Sequence, residues 1–423
     1  MDKPSEKPLT KNEFMKAEKP DLSGTIRETL ANPAADRFSG DDEQFIKFHG
    51  IYQQDDRDKR KVAKEYSVMV RTRQTGGIVP AAQYLVYDEL SGRFANGTLR
   101  ITSRQTFQFH GVAQQGVGSL IKSINEALSS TLATCGDVNR NVTAPSNPAV
   151  DEVTQQIEDD AFTLTRALLP KTTAYHSIWV DGVQLDLGLG DKIAKARASV
   201  DQANPYLPPP ADHDDSGAPV DLLYGKTYLP RKFKTGFALP PNNDVDIFTN
   251  DMGYVAIVEG GKLVGYNLLV GGGLGTSHGN KATYPRLADV IGFLTREQVV
   301  TVGEAVIKIH RDWGDRTDRK HARIKYVLQE KGVEWFRGEL AKHLGAALPA
   351  AKPFQFKGQG DAFGWSKQRD GNWFLGLFIE TGRVKDAGDY RLKTALRVVA
   401  ERFNPTFRLT ATQNLILSDV KEA

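Results

Sequence analysis

Cysteine is almost absent from this chain, because Cys135 is the only one among 423 residues. One thiol cannot form an intrachain disulfide, a zinc ribbon or a CxxC redox motif. Nor can it supply the roughly four thiolates that usually hold an iron–sulfur cluster. Because it stands between Thr134 and Gly136 with no second cysteine or other ligand motif, we expect Cys135 to be a structural thiol rather than a ligand.

Long apolar runs and a strong net charge are also missing. No segment approaches the roughly 18 consecutive apolar residues of a membrane helix, and the first 44 residues are too polar for a signal peptide. The 55 Lys and Arg residues nearly balance the 52 Asp and Glu residues, so the net charge of +3 indicates no partner. We therefore expect a cytoplasmic protein with no membrane or nucleic-acid partner, and a loose arm over residues 1–44.

The chain instead carries a pattern of strands and helices that occurs twice. A strand is predicted over 67–73, a helix from Pro80 onward, and a pair of strands over 98–112. The same order returns over 373–384, 390–403 and 407–420, where Leu392, Leu396 and Val399 lie on one helix face. Each copy is a β-α-β unit.

Two short runs within the copies align without a gap. RITSRQTFQFHGV (100–112) matches RLTATQNLILSDV (408–420), and Gly77 and Gly382 precede the aligned arginines by 23 and 26 residues. Chance similarity between two alternating strands is the alternative, against which the shared order of elements argues. We predict two pseudo-symmetric β-α-β halves that face each other.

The long middle segment is predicted to be a mixed α+β domain. Apolar strands are expected within 227–240, 253–261 and 262–273, followed by a helix with Val299, Val302, Val306 and Ile309 on one face. A charged, proline-rich run at 190–220 is expected to be a surface loop. The predicted boundaries are 1–66 for an N-terminal extension, 67–140 for the first half, 141–350 for the middle domain and 351–423 for the second half.

A glycine-rich run, GGGLGTSHGNK (271–281), follows an apolar strand as a phosphate-cradling loop would. It fits neither GxGxxG nor a P-loop, because Thr276 or His278 stands where the last glycine belongs and no GK[ST] follows. We expect either a close approach of backbone to a flat cofactor or a plain tight turn.

The segment RKFKT contains a candidate anion site. Strand alternation places Lys232 and Lys234 on one face and Arg231, Phe233 and Thr235 on the other. Two ammonium groups on one face repel each other unless an anion or a carboxylate lies between them. A solvated strand face is the alternative, against which the flanking apolar sequence argues.

Two rows of basic and polar residues would suit a ligand with many carboxylates, because arginine pairs with each carboxylate bidentately. One row shares a face if its strand is unbroken: Arg100, Arg104 and Gln108. The other shares a face if its segment is helical, with a solvated helix face as the alternative: Arg316, Arg319 and Arg323.

Eight ordered motifs, from about residue 23 to the end, resemble those of the sirohaem-dependent nitrite and sulfite reductases, in particular the haemoprotein (beta) subunits of the NADPH-dependent assimilatory type. They are FHGIYQQDDRD, RITSRQTFQFHG, NRNV, TYLPRKFKT, NLLVGGG, HGNK, RDWGDRTDRK and TATQNLI. The resemblance implies an α+β fold in which two ferredoxin-like half-domains flank a sirohaem and anion domain.

The resemblance also implies roles for the basic residues. Those expected around a reducible anion are Arg71, in VMVRTRQTGGIV, together with Arg140, Lys232 and Lys234. Those expected to bind sirohaem are Arg100, Arg104, Gln108, Arg316, Arg319 and Arg323. We expect lysine in the family where Arg323 stands.

The implied activity is the six-electron reduction of sulfite to sulfide in sulfate assimilation and cysteine biosynthesis, with a flavoprotein alpha subunit as electron donor. The family binds a [4Fe–4S] cluster through a C-x5-C and a C-x3-C pair, and neither pair stands in this sequence. We therefore expect a truncated chain that lacks this C-terminal domain. Whether such a chain is active by itself does not follow from the sequence. The alternatives are a non-catalytic sirohaem- or anion-binding protein, a ferredoxin-type nitrite reductase, and an interaction protein that uses its basic rows.

Overall fold

The computed structural model describes residues 7–56, 58–148, 151–181, 190–199, 206, 212–213 and 219–422. The helices in this part of the chain are α1 (Lys11–Glu18), α2 (Ile26–Ala31), α3 (Asp42–Phe48), α4 (Ala81–Phe94), α5 (Val117–Glu126), α6 (Glu152–Ala167), α7 (Ala174–Trp179), α8 (Gly190–Ala198), α9 (Val299–Trp313), α10 (Ile324–Lys331), α11 (Val333–Leu344) and α12 (Leu392–Phe403). None of these described helices is both long and apolar enough to cross a membrane.

The strands in the same residues are β1 (Ile51–Asp55), β2 (Tyr66–Arg71), β3 (Ile78–Pro80), β4 (Leu99–Ile101), β5 (Phe107–Val112), β6 (Asp212–His213), β7 (Pro219–Val220), β8 (Thr235–Ala238), β9 (Met252–Glu259), β10 (Lys262–Val270), β11 (Asp289–Leu294), β12 (Gly364–Lys367), β13 (Trp373–Leu377), β14 (Arg383–Val384), β15 (Asp386–Ala387), β16 (Tyr390–Arg391), β17 (Thr406–Leu409) and β18 (Leu415–Val420).

Two five-stranded sheets share one plan, which confirms the predicted pair of halves. Their strand orders are β1-β2-β5-β4-β14 and β12-β13-β18-β17-β3. Each sheet takes its last strand from the other copy of the repeat. Arg383 of β14 lies opposite Arg100 of β4, and Ile78 of β3 lies opposite Arg408 of β17. The two halves are therefore joined by strand exchange.

A glycine in each copy makes this exchange possible. Gly77 and Gly382 have left-handed backbone conformations, with φ of 76° and 69°. A Cβ on Gly77 would lie 2.3 Å from the carbonyl oxygen of Leu409, and one on Gly382 would lie 2.5 Å from that of Ile101. Leu409 and Ile101 are equivalent positions in the aligned runs, so the repeat extends to individual atomic contacts.

The two repeat helices pack where the halves meet. Helix α4 begins directly after Pro80, whose fixed φ and missing N–H suit the position before a helix. Tyr84 of α4 stacks on Phe407 of β17, with ring centroids 4.1 Å apart. Helix α12 buries Leu396 and packs the partly buried Leu392 against the core, as predicted.

The middle segment forms a separate sheet with strand order β11-β10-β9-β8, in which only the β8–β9 pair is parallel. Its apolar strands are buried along most of their length, and β10 is buried continuously from Tyr266 to Val270. Helix α9 buries Val299, Val302, Val306 and Ile309, as its periodicity predicts. The mixed α+β character is confirmed.

The expectation of a loose arm over residues 1–44 is wrong for the described residues 7–44. They include α1, α2 and the start of α3, and the apolar side chains of Leu22, Ile26 and Phe38 are buried to 1% exposure or less. Glu13 forms ion pairs with Lys16, at 2.6 Å, and with Arg316. A few well-spaced apolar residues attach the segment to the rest of the protein. The polar composition of the segment gave no indication of this attachment.

The surface loop predicted over 190–220 is also partly wrong. Residues 190–198 form helix α8, which fully buries Ala196. Lys192 Nζ lies 2.9 Å from Glu89 Oε2, so an ion pair joins α8 to α4. Strands β6 and β7 pair with each other. The remaining residues of 190–220, except Ser199 and Tyr206, lie outside the described part of the chain.

Candidate anion and cofactor site

Three segments carry the four predicted anion-binding cations. Arg71 is the last residue of β2, and its Nη1 donates to the carbonyl oxygen of Thr134 at 3.4 Å, in the loop that also carries Arg140. The backbone N–H of Arg140 donates to the carbonyl oxygen of Phe233 at 3.0 Å, which ties the loop after α5 to the segment before β8. Lys232 and Lys234 flank Phe233 in the sequence, so Arg140 lies beside both lysines.

Strand alternation at the lysine pair is as predicted. Phe233 and Thr235 are fully buried, whereas Lys232 and Lys234 are partly exposed. The Phe233 ring packs on His310, with centroids 5.5 Å apart. Burial of one face of this segment therefore turns both ammonium groups to the opposite side.

The four cations have no carboxylate within 4 Å of their charged nitrogens in the described ranges. Burial, followed by the charges of Arg140 and Lys234, lowers the pKa of Lys232 to about 7. Burial, followed by the charges of Arg104 and Arg323, lowers the pKa of Lys234 to about 8. Because both lysines lose their charge close to neutral pH, an anion among them would be strongly stabilising.

A polar row crosses the first sheet beside Arg71. Arg71 lies opposite Gln108, Gln108 opposite Arg100, and Arg100 opposite Arg383. With the Gln108 amide oxygen turned toward Arg71, it accepts from Nη2 at 2.5 Å and Nε at 3.1 Å. The Gln108 nitrogen then donates to His110 Nε2 at 3.2 Å. Burial, followed by the charges of Arg383, Arg100 and Arg71, lowers the pKa of His110 to about 4.

The structure corrects how this row is built. The two predicted strands are separated by a turn at 102–106, so the condition of one unbroken strand is not met, and Arg100 and Gln108 meet across β4 and β5. Arg383 belongs to the second half and reaches the row through strand exchange. No sequence signal indicated it, because the position aligned with Arg383 in the first half is Ile78, an apolar residue.

Arg104 points away from this row into the protein. It is 8% exposed, and its guanidinium donates to Asn250 Oδ1 and to the Asn141 carbonyl oxygen, both at 2.6 Å. Its Nε is buried without a hydrogen-bond partner among the described residues. Burial lowers the pKa of Arg104 to about 9; the charge of Asp251 opposes this shift, and the like charges of Arg140 and Arg71 add to it. Arg104 thus links the first half to the loops that carry Arg140 and Lys234.

The predicted helical face of Arg316, Arg319 and Arg323 is wrong, because α9 ends at Trp313 and α10 begins at Ile324. Each arginine instead pairs with a carboxylate of the chain. Arg316 pairs with Glu13, Arg319 Nη1 lies 2.7 Å from Asp137 Oδ2, and Arg323 Nη2 lies 2.7 Å from Asp251 Oδ1.

Asp251 is a further residue that sequence reasoning missed. It is fully buried, and its Oδ2 accepts the backbone N–H of Lys234 at 2.9 Å. The same carboxylate binds Arg323, so it connects the lysine pair to the 314–323 segment.

The glycine-rich run is closely packed against neighbouring backbone at its start. A Cβ on Gly272 would lie 2.1 Å from the carbonyl oxygen of Phe248, and one on Gly273 would lie 2.4 Å from the Arg323 guanidinium. These two glycines therefore admit the chain's own backbone and Arg323. Gly275 and Gly279 face open space.

Known proteins share both the halves and the middle domain. The nitrite/sulfite reductase ferredoxin-like half domain matches residues 60–127 and 366–423, and the nitrite and sulphite reductase 4Fe-4S domain matches 161–348. The chain belongs to the nitrite and sulfite reductase family. A relative from Myxococcus xanthus, named sulfite reductase [NADPH] hemoprotein beta-component, is 46% identical over 98% of this chain and 69% of that protein.

Other members of the family agree. A protein of the same name from Geobacillus kaustophilus is 44% identical over 96% of this chain and 68% of its own length. The solved structure of the Mycobacterium tuberculosis NirA protein matches with a TM-score of 0.70 and 23% identity, over 98% of this chain and 67% of that one. This structural likeness confirms the fold.

The residues of the site fit one family cofactor and not the other. Arg71, Arg100 and Arg383 form no ion pair with a carboxylate in the described residues, which suits a tetrapyrrole that carries many carboxylates. Cys135 is the only cysteine in the sequence and is buried. This chain therefore does not itself hold the roughly four thiolates of a [4Fe–4S] cluster.

Proposed function

We propose that this chain is a cytoplasmic haemoprotein component of a sulfite reductase, which reduces sulfite to sulfide at sirohaem with electrons from a flavoprotein alpha subunit. One observation supports this most strongly. Arg140 is bonded through its backbone to Phe233, between Lys232 and Lys234, Arg71 donates to the loop that carries Arg140, and none of the four has a carboxylate partner among the described residues. Such a cluster is costly unless an anion binds there.

The four cations are proposed to bind and orient the substrate. Arg71 and Arg140 keep their charge at all physiological pH values and hold the anion electrostatically. Lys232 and Lys234, with pKa values of about 7 and 8, can each release a proton from Nζ near neutral pH. Each oxygen that leaves sulfite as water needs protons, and these two lysines are placed to supply them. Sirohaem, when bound, supplies the electron transfer.

The cofactor-binding residues are proposed to fall into two groups. Arg100, Gln108 and Arg383 lie in the polar row of the first sheet, and we propose that they contact sirohaem directly. The other four predicted cofactor-binding arginines already bind side chains of the protein, and we propose that they hold the walls of the sirohaem pocket in place: Arg104, Arg316, Arg319 and Arg323.

A second candidate function is favoured by the single cysteine. A chain that binds sirohaem and the anion but lacks a cluster of its own would act as a non-catalytic binding protein. A ferredoxin-type nitrite reductase is the remaining alternative, since nitrite is also a small anion.

The test is to load the 423-residue chain with sirohaem and follow its visible absorption, then supply a reduced viologen dye with sulfite or nitrite. The proposal expects sirohaem binding and a higher kcat/KM for sulfite than for nitrite. Lys232→Gln should abolish most turnover, whereas Lys262→Gln, on the exposed start of β10, should not. Sirohaem binding without turnover would favour the binding-protein alternative, and preference for nitrite would favour the nitrite reductase.

A further inference from the structure

A basic cavity is lined by Arg140, one of the four proposed anion-binding cations. It has a volume of about 410 Å³. Five cationic side chains line it, and Asp137 is its only acidic residue: Lys16, Lys47, Arg140, Arg231 and Arg319. Because water occupies about 30 Å³ per molecule in the liquid, the cavity has room for an oxyanion together with several waters.

Two of the five cations are neutralised within the protein. Lys16 Nζ lies 2.6 Å from Glu13 Oε1 and 3.6 Å from Asp137 Oδ2. Arg319 binds the same aspartate through both terminal nitrogens, at 2.7 and 3.0 Å. Because Asp137 is already paired with Lys16 and Arg319, it does little to neutralise the other cations that line the cavity.

The other three cations have no carboxylate within 4 Å in the described residues. Lys47 Nζ donates to Gln44 Oε1 at 3.1 Å and lies 5.7 Å from the centre of the Tyr52 ring. The Arg140 guanidinium donates to the carbonyl oxygen of Gly136 over long distances, of 3.3 and 3.4 Å, and its side chain also interacts with the Tyr52 hydroxyl. Burial lowers the pKa of Lys47, against the opposing effect of the Glu43 charge.

The lysine pair of the proposed inner site is not part of this cavity. Arg231 lines the cavity, whereas Lys232 and Lys234 do not. Arg140 lines the cavity, and its charge helps to lower the pKa of Lys232, so Arg140 is close both to the cavity and to the lysine pair. An anion in the cavity is therefore one side chain away from the inner cations.

We propose that this cavity is an outer oxyanion site from which the substrate passes to the four inner cations, with Lys47 and Arg231 as its own ligands and Arg140 shared by both sites. The identity of the substrate rests on the proposed function, but the outer site itself does not. Its ligand class is a small dianionic oxyanion, such as sulfite or sulfate.

The first experiment measures binding of sodium sulfate to the 423-residue chain by calorimetry. We expect two sulfate sites, one of which is weakened about tenfold by Lys47→Gln or Arg231→Gln, because each removes one charge-assisted hydrogen bond. Lys47→Arg should restore it. Lys262→Gln and Arg402→Gln remove the same charge from exposed positions and should leave both sites unchanged. Unchanged sulfate binding in folded Lys47→Gln and Arg231→Gln proteins would overturn the outer site.

The second experiment tests the route, using stopped-flow absorption of the sirohaem-loaded protein, reduced beforehand by an excess of the viologen dye, mixed with sulfite. Lys47→Gln should slow association about tenfold and leave the rate of the later reduction step unchanged. An unchanged association rate would refute the route. If the chain fails to bind sirohaem while Lys47→Gln still weakens sulfate binding, the proposed function fails and the outer site stands.

Discussion

The lowered pKa values of the lysine pair predict how anion binding depends on pH. Lys232 and Lys234 have pKa values of about 7 and 8 in the free protein. A bound dianion favours the charged form of both, so it raises both pKa values. Binding must then take up protons above neutral pH, and affinity must fall as pH rises. Sulfate is the suitable probe, because sulfite itself gains a proton near neutral pH.

The magnitude follows from linkage. If both lysines are charged in the complex, log Kd rises by about 0.6 per pH unit near pH 7 and by about 1.9 near pH 9. Between these two values the affinity falls about 500-fold, or about 3.7 kcal/mol at about 1.4 kcal/mol per tenfold. A site with two ordinary lysines would show almost no change over the same range, because their usual pKa is about 10.4.

The assay is calorimetric titration of the chain with sulfate at constant ionic strength, because exposed charges are screened by salt. Lys232→Met should weaken binding at neutral pH and limit the slope near pH 9 to about 0.9, since only Lys234 remains to be protonated. Lys262→Met, at an exposed site, is the matched control. A flat profile for the inner site from about pH 6 to about pH 9 would refute the reasoning.

Two further predictions concern residues that sequence reasoning did not assign to the site. Asp251→Asn should destabilise folding by about 3–5 kcal/mol in urea unfolding, because it leaves a buried arginine without its partner. It should also move the Lys234 step of the sulfate profile to lower pH, since Asp251 raises that pKa; an unmoved step would contradict this. Gly382→Ala should destabilise folding by about 1–3 kcal/mol beyond Gly388→Ala. Both glycines have positive φ, but only at Gly382 would the Cβ meet a carbonyl oxygen, that of Ile101. Equal losses would show that the strand exchange tolerates the methyl group.

Local patterns explain why much of the fold could be predicted. The apolar faces of α9 and α12 follow the helical period, and Lys232 and Lys234 share a face because side chains alternate along a strand. The repeat was visible because two 13-residue runs align without a gap. Each of these signals lies within a few consecutive residues.

The errors have a common physical origin in long-range contacts. The Arg316 to Arg323 spacing resembled a helix face, yet each arginine is held by a carboxylate from a distant segment. The N-terminal residues looked like a solvated arm, yet Glu13 and a few apolar side chains attach them to the middle domain. The composition of a segment carries no information about the distant residues that it contacts in the folded protein.

The sequence by itself determined the family and the two halves, and it predicted the four cations of the proposed inner site, because motifs and alternation are local properties of the chain. Only the tertiary structure decided that the halves exchange strands, that Arg383 joins Arg100 across the sheet, and that Arg140 lines a further basic cavity. Those facts depend on which strands pair and which loops meet. Pairing of strands is set by burial and register over the whole molecule, and no local pattern encodes it.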